Sequence, residues 1–318
     1  MTVQDFIAIV ESKRGTASGW PACLTYTLEG DQAIITMIKG FGKKEFRRFD
    51  SWGMAFVAEA ECETSAKVSA VSFTLPNDNI DGCEADFEAF RRRVSFLNIN
   101  NTLNHLTCQI VRNGEPIPLY DEHSLFNRPQ SERIRPLRDI KKAKDNTPGH
   151  IEKDFQTFLF GNDCGKEENT NERLAILGEE FFNLKKKEFG LIREFPTGAF
   201  RDCIKEENRI LPTEYIDIVT LNKYGRLSVI ELKLNDSQLE VISQILDYAL
   251  FFSCYIKTLK PEIKEKFERV AIEEPIVCYV VNNHFHEKFD KIMKYYSTSN
   301  KCYNFELKKV LLGHALRI

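Results

Sequence analysis

Two domains of mixed α/β (α+β) class are predicted. A β-rich domain covers residues 1–125, a basic linker 126–149, and a mixed sheet flanked by helices residues 150–318. Three observations carry this reading. Short β-like runs separated by Gly, Asn, Asp and Pro fill the first part, and the composition turns basic and proline-bearing near residue 125. Beyond residue 150 the helical and strand-like segments run α-α-β-β-β-α-β-α-β. A chain of 318 residues accommodates two ordinary domains, and 42% hydrophobic with 29% charged residues is the composition of a globular protein.

An amphipathic helix opens the chain (Phe6, Ile7, Ile9, Val10). The runs ACLTYTLEG, QAIITMIKG, GMAFVAEAEC, KVSAVSFTLP and HLTCQIVRNGEPIPLY read as strands, with Asn113-Gly114 as a hairpin turn in the last. EADFEAFRRRVSFLN reads as a helix among them. GFGKKEFRRF interleaves Lys43, Lys44, Arg47 and Arg48 with Phe41, Phe46 and Phe49. That pattern suits phosphate contact and base stacking, or equally a solvated hairpin with its Phe rings in the core.

The linker holds Arg128, Arg133, Arg135, Arg138, Lys141, Lys142 and Lys144, a density of charge that could track a nucleic-acid backbone or simply be solvated. HIEKDFQTFLFGN is then helical by its Ile151, Phe155, Phe158 and Leu159 stripe, and NERLAILGEEFFNLKKKEFG forms a second helix. LIREF is a strand, followed by a long excursion to Glu214. Tyr215–Tyr248 reads as strand, tight turn, strand and a helix over Ser237–Phe252 with a Ser237-x-x-Glu240 capping box. PIVCYVVNN, HEKFDKIMKYYS and CYNFELKKVLLG close the chain as strand, helix and strand.

The chemistry concentrates in Tyr215–Tyr248. Alternation puts Glu231 and Lys233 on one strand face, and a loop of about five residues sets Asp217 opposite Glu231, with their Cβ atoms about 5 Å apart. Two carboxylates that close repel unless a cation lies between them, and a divalent metal suits the pair. A plainer reading pairs Glu231 with Lys233 on a surface hairpin; it accounts for Lys233 but not for Asp217 between Ile216 and Ile218.

Asp217, then Glu231-Leu232-Lys233, then Gln244 and Tyr248 together resemble the PD-(D/E)XK nuclease superfamily, and the Q-x-x-x-Y element resembles its RecB-like branch. The two-domain plan is similar to that of NucS-type mismatch endonucleases and Shedu-type defence nucleases, whose nuclease domain opens with E-x-x-L-Q-x-x-L. Here Glu152-Lys153-Asp154-Phe155-Gln156-Thr157-Phe158-Leu159 is similar, with Phe155 for the usual Leu. The likeness covers residues from His150 onward. It departs from the pattern in Ile216 for Pro and in a long interval from Glu152 to Asp217, so Glu179 or Glu180 competes with Glu152 as the first-helix acid.

The resemblance implies a restriction-endonuclease-like core and metal-dependent phosphodiester hydrolysis, with anti-phage defence or DNA repair as the setting. Asp217, Glu231, the Leu232 carbonyl and Glu152 are the expected oxygen ligands for Mg²⁺ or Mn²⁺. Lys233 is expected to hold the attacking water or stabilise developing charge, and Gln244 and Tyr248 to bond phosphate or water.

DNA is the expected substrate, with RNA open, and the alternative is an inactive nuclease-fold protein that binds or senses nucleic acid. A homodimer, and a protein partner for the N-terminal domain, also stay open. The net charge of −3 offers no global positive field, so binding would need a local basic groove. The nine cysteines are dispersed, which argues against zinc and iron–sulfur sites. H-x-H at His284 and His286 reads as a polar connector. No leader and no apolar spanning run is evident, so a cytoplasmic protein without membrane contact is expected.

Overall fold

The computed structural model describes residues 19–39, 42–64, 67–76, 82–100, 105–136, 174–181, 191–234, 236–267, 270–271, 274–296 and 305–312, together with Glu152, Phe155, Gln156 and Leu159. The expected opening helix and the basic residues from Arg138 to Lys144 lie outside the described residues. The chain forms two compact units. The first comprises Met1–Asn127 with Ile242–Gln244 and Glu287–Tyr296, and the second comprises Arg128–Val241, Ile245–His286 and Ser297–Ile318. Both are mixed α+β, with mixed sheets flanked by helices. Among the described residues no helix is long and apolar enough to cross a membrane.

The first unit contains strands β1 (Leu24–Glu29), β2 (Gln32–Met37), β3 (Ala70–Leu75), β4 (Thr107–Arg112) and β5 (Glu115–Ile117), in the order β1-β2-β3-β4-β5. β2, β3 and β4 are parallel, whereas both edge pairs are antiparallel. The β4–β5 turn is the expected one: Asn113 and Gly114 both take positive φ, 55° and 78°, as a type I′ turn demands.

The parallel strands are linked by helices α1 (Lys43–Thr64) and α2 (Glu84–Ile99). Helix α1 corrects two expectations, since GMAFVAEAEC is its middle and not a strand, and the basic GFGKKEFRRF run leads into its first turns. Residues 51–60 are buried without interruption, so the run lacks the alternation that tells a helix from a strand. Phe46 and Phe49 enter an aromatic cluster with Phe73 and Phe90; Phe49 stacks on Phe90 at 5.0 Å. Arg93 bridges both carboxylate oxygens of buried Asp50 at 2.9–3.1 Å, and Ser243 and Tyr296 donate to the same carboxylate. A short helix α3 (Glu122–Phe126), capped by Asp121, ends this stretch.

The second unit begins inside the expected linker. Residues 132–134 form β6 (Glu132–Ile134), which pairs with β8 (Ala199–Arg201), which pairs with β9 (Arg209–Leu211), all antiparallel. Of the helix expected from Asn171 to Gly190, only residues 174–181 are described; there the chain makes two 3₁₀ turns, Ala175–Leu177 and Glu179–Phe181, separated at Gly178.

The main sheet consists of β7 (Leu191–Pro196), β10 (Tyr215–Leu221), β11 (Leu227–Leu232), β12 (Ile276–Asn282) and β13 (Phe305–Leu311), in the order β13-β12-β11-β10-β7. β7, β10 and β11 run as an antiparallel meander, and β11, β12 and β13 are parallel. A parallel step requires a crossover, here supplied between β11 and β12 by helix α4 (Glu240–Lys266). α4 starts three residues after Ser237 and continues past Phe252, because Tyr255, Leu259 and Ile263 extend its buried face through Pro261. The expected capping box does not form; Asp236 instead accepts the Gln238 N–H at 2.9 Å ahead of the helix. Helix α5 (Phe289–Tyr296) precedes β13 and clusters with the first unit.

Candidate functional site

The β10–β11 hairpin closes at Leu221↔Leu227 through the five residues 222–226, and its register runs to Ile218↔Ile230. One further step sets Asp217 against Glu231. Asp217 fixes that step itself, because its Oδ2 accepts the Leu232 N–H at 2.8 Å. Glu231 lies on a strand buried along its whole length and is 2% exposed. Lys233 follows the strand end, where its N–H continues the ladder to the Val281 carbonyl at 2.9 Å.

The ammonium of Lys233 sits among acids. It is 2.8 Å from Glu231 Oε1 and 3.8 Å from Glu152 Oε2. Burial works against its charge, but Glu231, Glu152 and Asp217 outweigh it and hold the pKa above the ordinary lysine range. For Asp217 the balance is reversed: burial first, then the neighbouring Glu231, push its carboxyl well above the usual range, against the pull of Lys233. Glu152 is also raised, chiefly by burial and also by Glu231, while Lys233 and the Leu234 N–H favour its charge.

Glu152 and Glu180 competed in the sequence, and the structure brings only Glu152 to the hairpin acids. Glu180 is held by Tyr279, Lys308 and Asn222 at the loop end of the hairpin. Asn222, the first residue after β10, is five residues from Asp217, about 17 Å at strand spacing. Glu179 pairs with Lys223 of the same loop at 3.4 Å.

Sequence reasoning assigned no role to Gln156 or Arg193. Gln156 is 3% exposed; its amide donates to the Asp217 carbonyl at 2.8 Å and accepts from Arg193 Nε at 2.9 Å. It thus clamps the backbone that carries Asp217. The position of Gln156, four residues after Glu152, is the signal that could have found it, since helix neighbours i and i+4 share a face.

Tyr248 and Gln244 were expected to point at one cleft. Tyr248 is fully buried, and its hydroxyl donates to the Tyr215 carbonyl at 3.4 Å, so it braces β10 two residues from Asp217. Gln244 lies half-buried one turn earlier on α4, in the segment that clusters with the first unit.

Asp217, Glu231 and the Leu232 carbonyl are hard oxygen donors; burial is the main cause of the raised Asp217 pKa, and the smaller contribution from Glu231 is the repulsion a divalent cation would relieve. Among the described residues no group of three or more His, Cys, Asp or Glu side chains is set to hold a metal ion. Mg²⁺ is ordinarily held by one or two carboxylates completed by water and phosphate, not by an all-protein cage. Among the cysteines, Cys108 and Cys278 are buried with thiol pKa values raised by desolvation, as for small hydrophobes. Compared with protein-family models, curated proteins and solved structures, the chain matches none.

Proposed function

We propose that this chain is a metal-dependent nuclease with a PD-(D/E)XK-type core, acting on DNA in the cytoplasm. The supporting observation is the convergence of Asp217, Glu231 and Glu152 around Lys233 at the end of a buried strand. An antiparallel meander feeding a parallel crossover is the sheet order this reading calls for. Defence against phage or DNA repair is the setting suggested by the sequence resemblance.

Asp217, Glu231 and the Leu232 carbonyl, with Glu152 beside them, would hold Mg²⁺ or Mn²⁺, which when bound acidifies water and neutralises charge on a phosphate. Asp217 is presented by its bond to the Leu232 N–H and by Gln156 behind its carbonyl. Lys233 keeps part of its side chain in solvent, 20% exposed, and reaches toward a substrate phosphate as a point charge. Glu152 positions Lys233.

The second reading is a nucleic-acid-binding or sensor protein without turnover. The observation that favours it is Lys233 itself, which already neutralises the acids where a metal would sit. Incubation of the protein with plasmid and linear DNA, with and without Mg²⁺ or Mn²⁺, separates the two. Metal-dependent cleavage lost in Asp217→Ala and Lys233→Ala supports the nuclease. Cleavage that survives both substitutions refutes this site, and salt-dependent binding without any cleavage supports the second reading.

A further inference from the structure

The pairing of β7 with β10 continues past the end of the main sheet. Tyr215 faces Pro196, the Thr197 N–H donates to the Glu214 carbonyl at 2.9 Å, and Ala199 faces Leu211. A two-stranded ribbon therefore runs from beside Asp217 into the small sheet β6-β8-β9.

One face of this ribbon can be followed residue by residue. Asp217 and Tyr215 share it by alternation, and Tyr215 is 60% exposed while the intervening Ile216 is fully buried. Gly198 and Thr213 come next. A Cβ on Gly198 would stand 2.4 Å from Thr213 Oγ1 and 3.3 Å from the Phe200 ring, which puts the three on one side and requires glycine there. Arg209 donates to the same Thr213 hydroxyl.

A register shift between Ala199 and Phe200 then turns Arg209 opposite Phe200, and Arg133 faces Phe200 from β6. The guanidinium groups of Arg209 and Arg135 lie 5.3 and 5.7 Å from the Phe200 centroid, and Arg133 and Arg135 are exposed. Glu206, paired with Arg209, offsets one of these three cations. Glu132, next to Arg133, is taken up by Arg128 and Tyr255.

We propose that this face is a track for single-stranded nucleic acid, in which Tyr215 stacks on an unpaired base beside the scissile phosphate while Arg135 and Arg133, which Glu206 does not pair, contact phosphates farther out. The assignment to a substrate path rests on the nuclease reading; the binding surface does not. Tyr215 is two residues from Asp217, about 7 Å at strand spacing, and Arg209 at most about 27 Å. An exposed aromatic ring can stack only on a base that is not paired, and a positive strip beyond it supplies affinity without sequence preference. A chain with net charge −3 binds a polyanion through a local strip of this kind, not through its overall field.

Fluorescence anisotropy tests the track with the full chain in EDTA, using a labelled DNA oligonucleotide single-stranded or annealed to its complement, over a salt series. The single strand is expected to bind more tightly than the duplex. Tyr215→Ala is expected to lose about tenfold in affinity for it, whereas Tyr215→Phe keeps it. Arg133→Ala with Arg135→Ala should lower the slope of log K against log salt by about 1.4, from about 0.7 per phosphate contact. Thermal unfolding of each variant checks the fold.

Unchanged affinity in a folded Tyr215→Ala, or preference for the duplex, overturns the track. If the parent cleaves DNA with Mg²⁺ and Tyr215→Ala binds and cuts equally well, the track fails and the nuclease stands. If no metal supports cleavage but the Tyr215 and arginine effects appear, the nuclease reading fails and the track stands.

Discussion

Replacing Lys233 by Met tests the electrostatics of the site without any assumption about activity. At an effective dielectric constant of about 20, the 2.8 Å contact with Glu231 is worth about 6 kcal/mol before desolvation. Removing one partner of a buried pair costs about 3–5 kcal/mol, because the other charge is left uncompensated. Lys233 retains 20% exposure and Glu231 only 2%, so the low end applies, about 3 kcal/mol. At about 2–4 °C per kcal/mol, Tm should fall by about 6–12 °C in EDTA at pH 7.

The sign of the pH dependence follows from the groups involved. Lys233 is held above the lysine range, so it stays charged below the unfolded lysine pKa and its own titration adds no pH dependence from acid to neutral pH; what varies there is the charge of its partners. In the variant, the folded acids retain protons that the unfolded chain has lost above about pH 4. Its stability deficit is therefore smallest near pH 5 and grows toward neutrality, and a second change, Glu231→Gln, recovers most of it. A Tm within about 2 °C of the parent at pH 7, or a deficit that grows as pH falls, refutes the reasoning.

Two further outcomes follow from the same cluster. Asp217 has a raised folded pKa, so it lowers stability as pH rises from about 4 through that pKa. Asp217→Asn, which can still accept the Leu232 N–H, should melt higher than the parent at pH 7 and level with it at pH 4 by thermal unfolding, while losing cleavage. Glu152→Gln should raise the Mg²⁺ concentration for half-maximal cleavage by about tenfold, and Glu180→Gln should leave it unchanged. The cost of Glu180→Gln falls on stability, about 1 kcal/mol. Burial raises the Glu180 pKa, but bonds from Lys308 and Tyr279 outweigh it and lower it, so that stability is present at neutral pH and lost as pH falls through the depressed pKa.

The hairpin was legible because its information is local. Asn222 and Gly225 mark the turn, the five-residue loop sets the register, and alternation then places Asp217, Glu231 and Lys233. Helix α1 was not legible over GMAFVAEAEC, since a helix segment buried on all sides lacks a polar face with a helical period, as a buried strand also does. Glu152 and Glu180 were indistinguishable by pattern, because their separation depends on which end of the hairpin each reaches, a tertiary fact. β6 was read as linker for a related reason: a three-residue strand between prolines has no period of its own, and it exists only by pairing with β8. The bracing of β10 by Gln156 and Tyr248 is equally non-local.

That bracing bears on how the site divides its labour. The Asp217 side chain is tied to the Leu232 N–H, its own carbonyl to Gln156, and the carbonyl two residues earlier to Tyr248. Glu231 sits on a strand paired on both sides, between β10 and β12. The acids are therefore carried by backbone that packing and hydrogen bonds hold in place, as a preorganised site requires. Lys233 differs: its backbone is fixed by Val281, but its long stem ends in partial contact with water. On the nuclease reading, a substrate anion that drew the ammonium off Glu231 would leave that buried carboxylate uncompensated, so phosphate contact by Lys233 and a cation at the acids would favour one another.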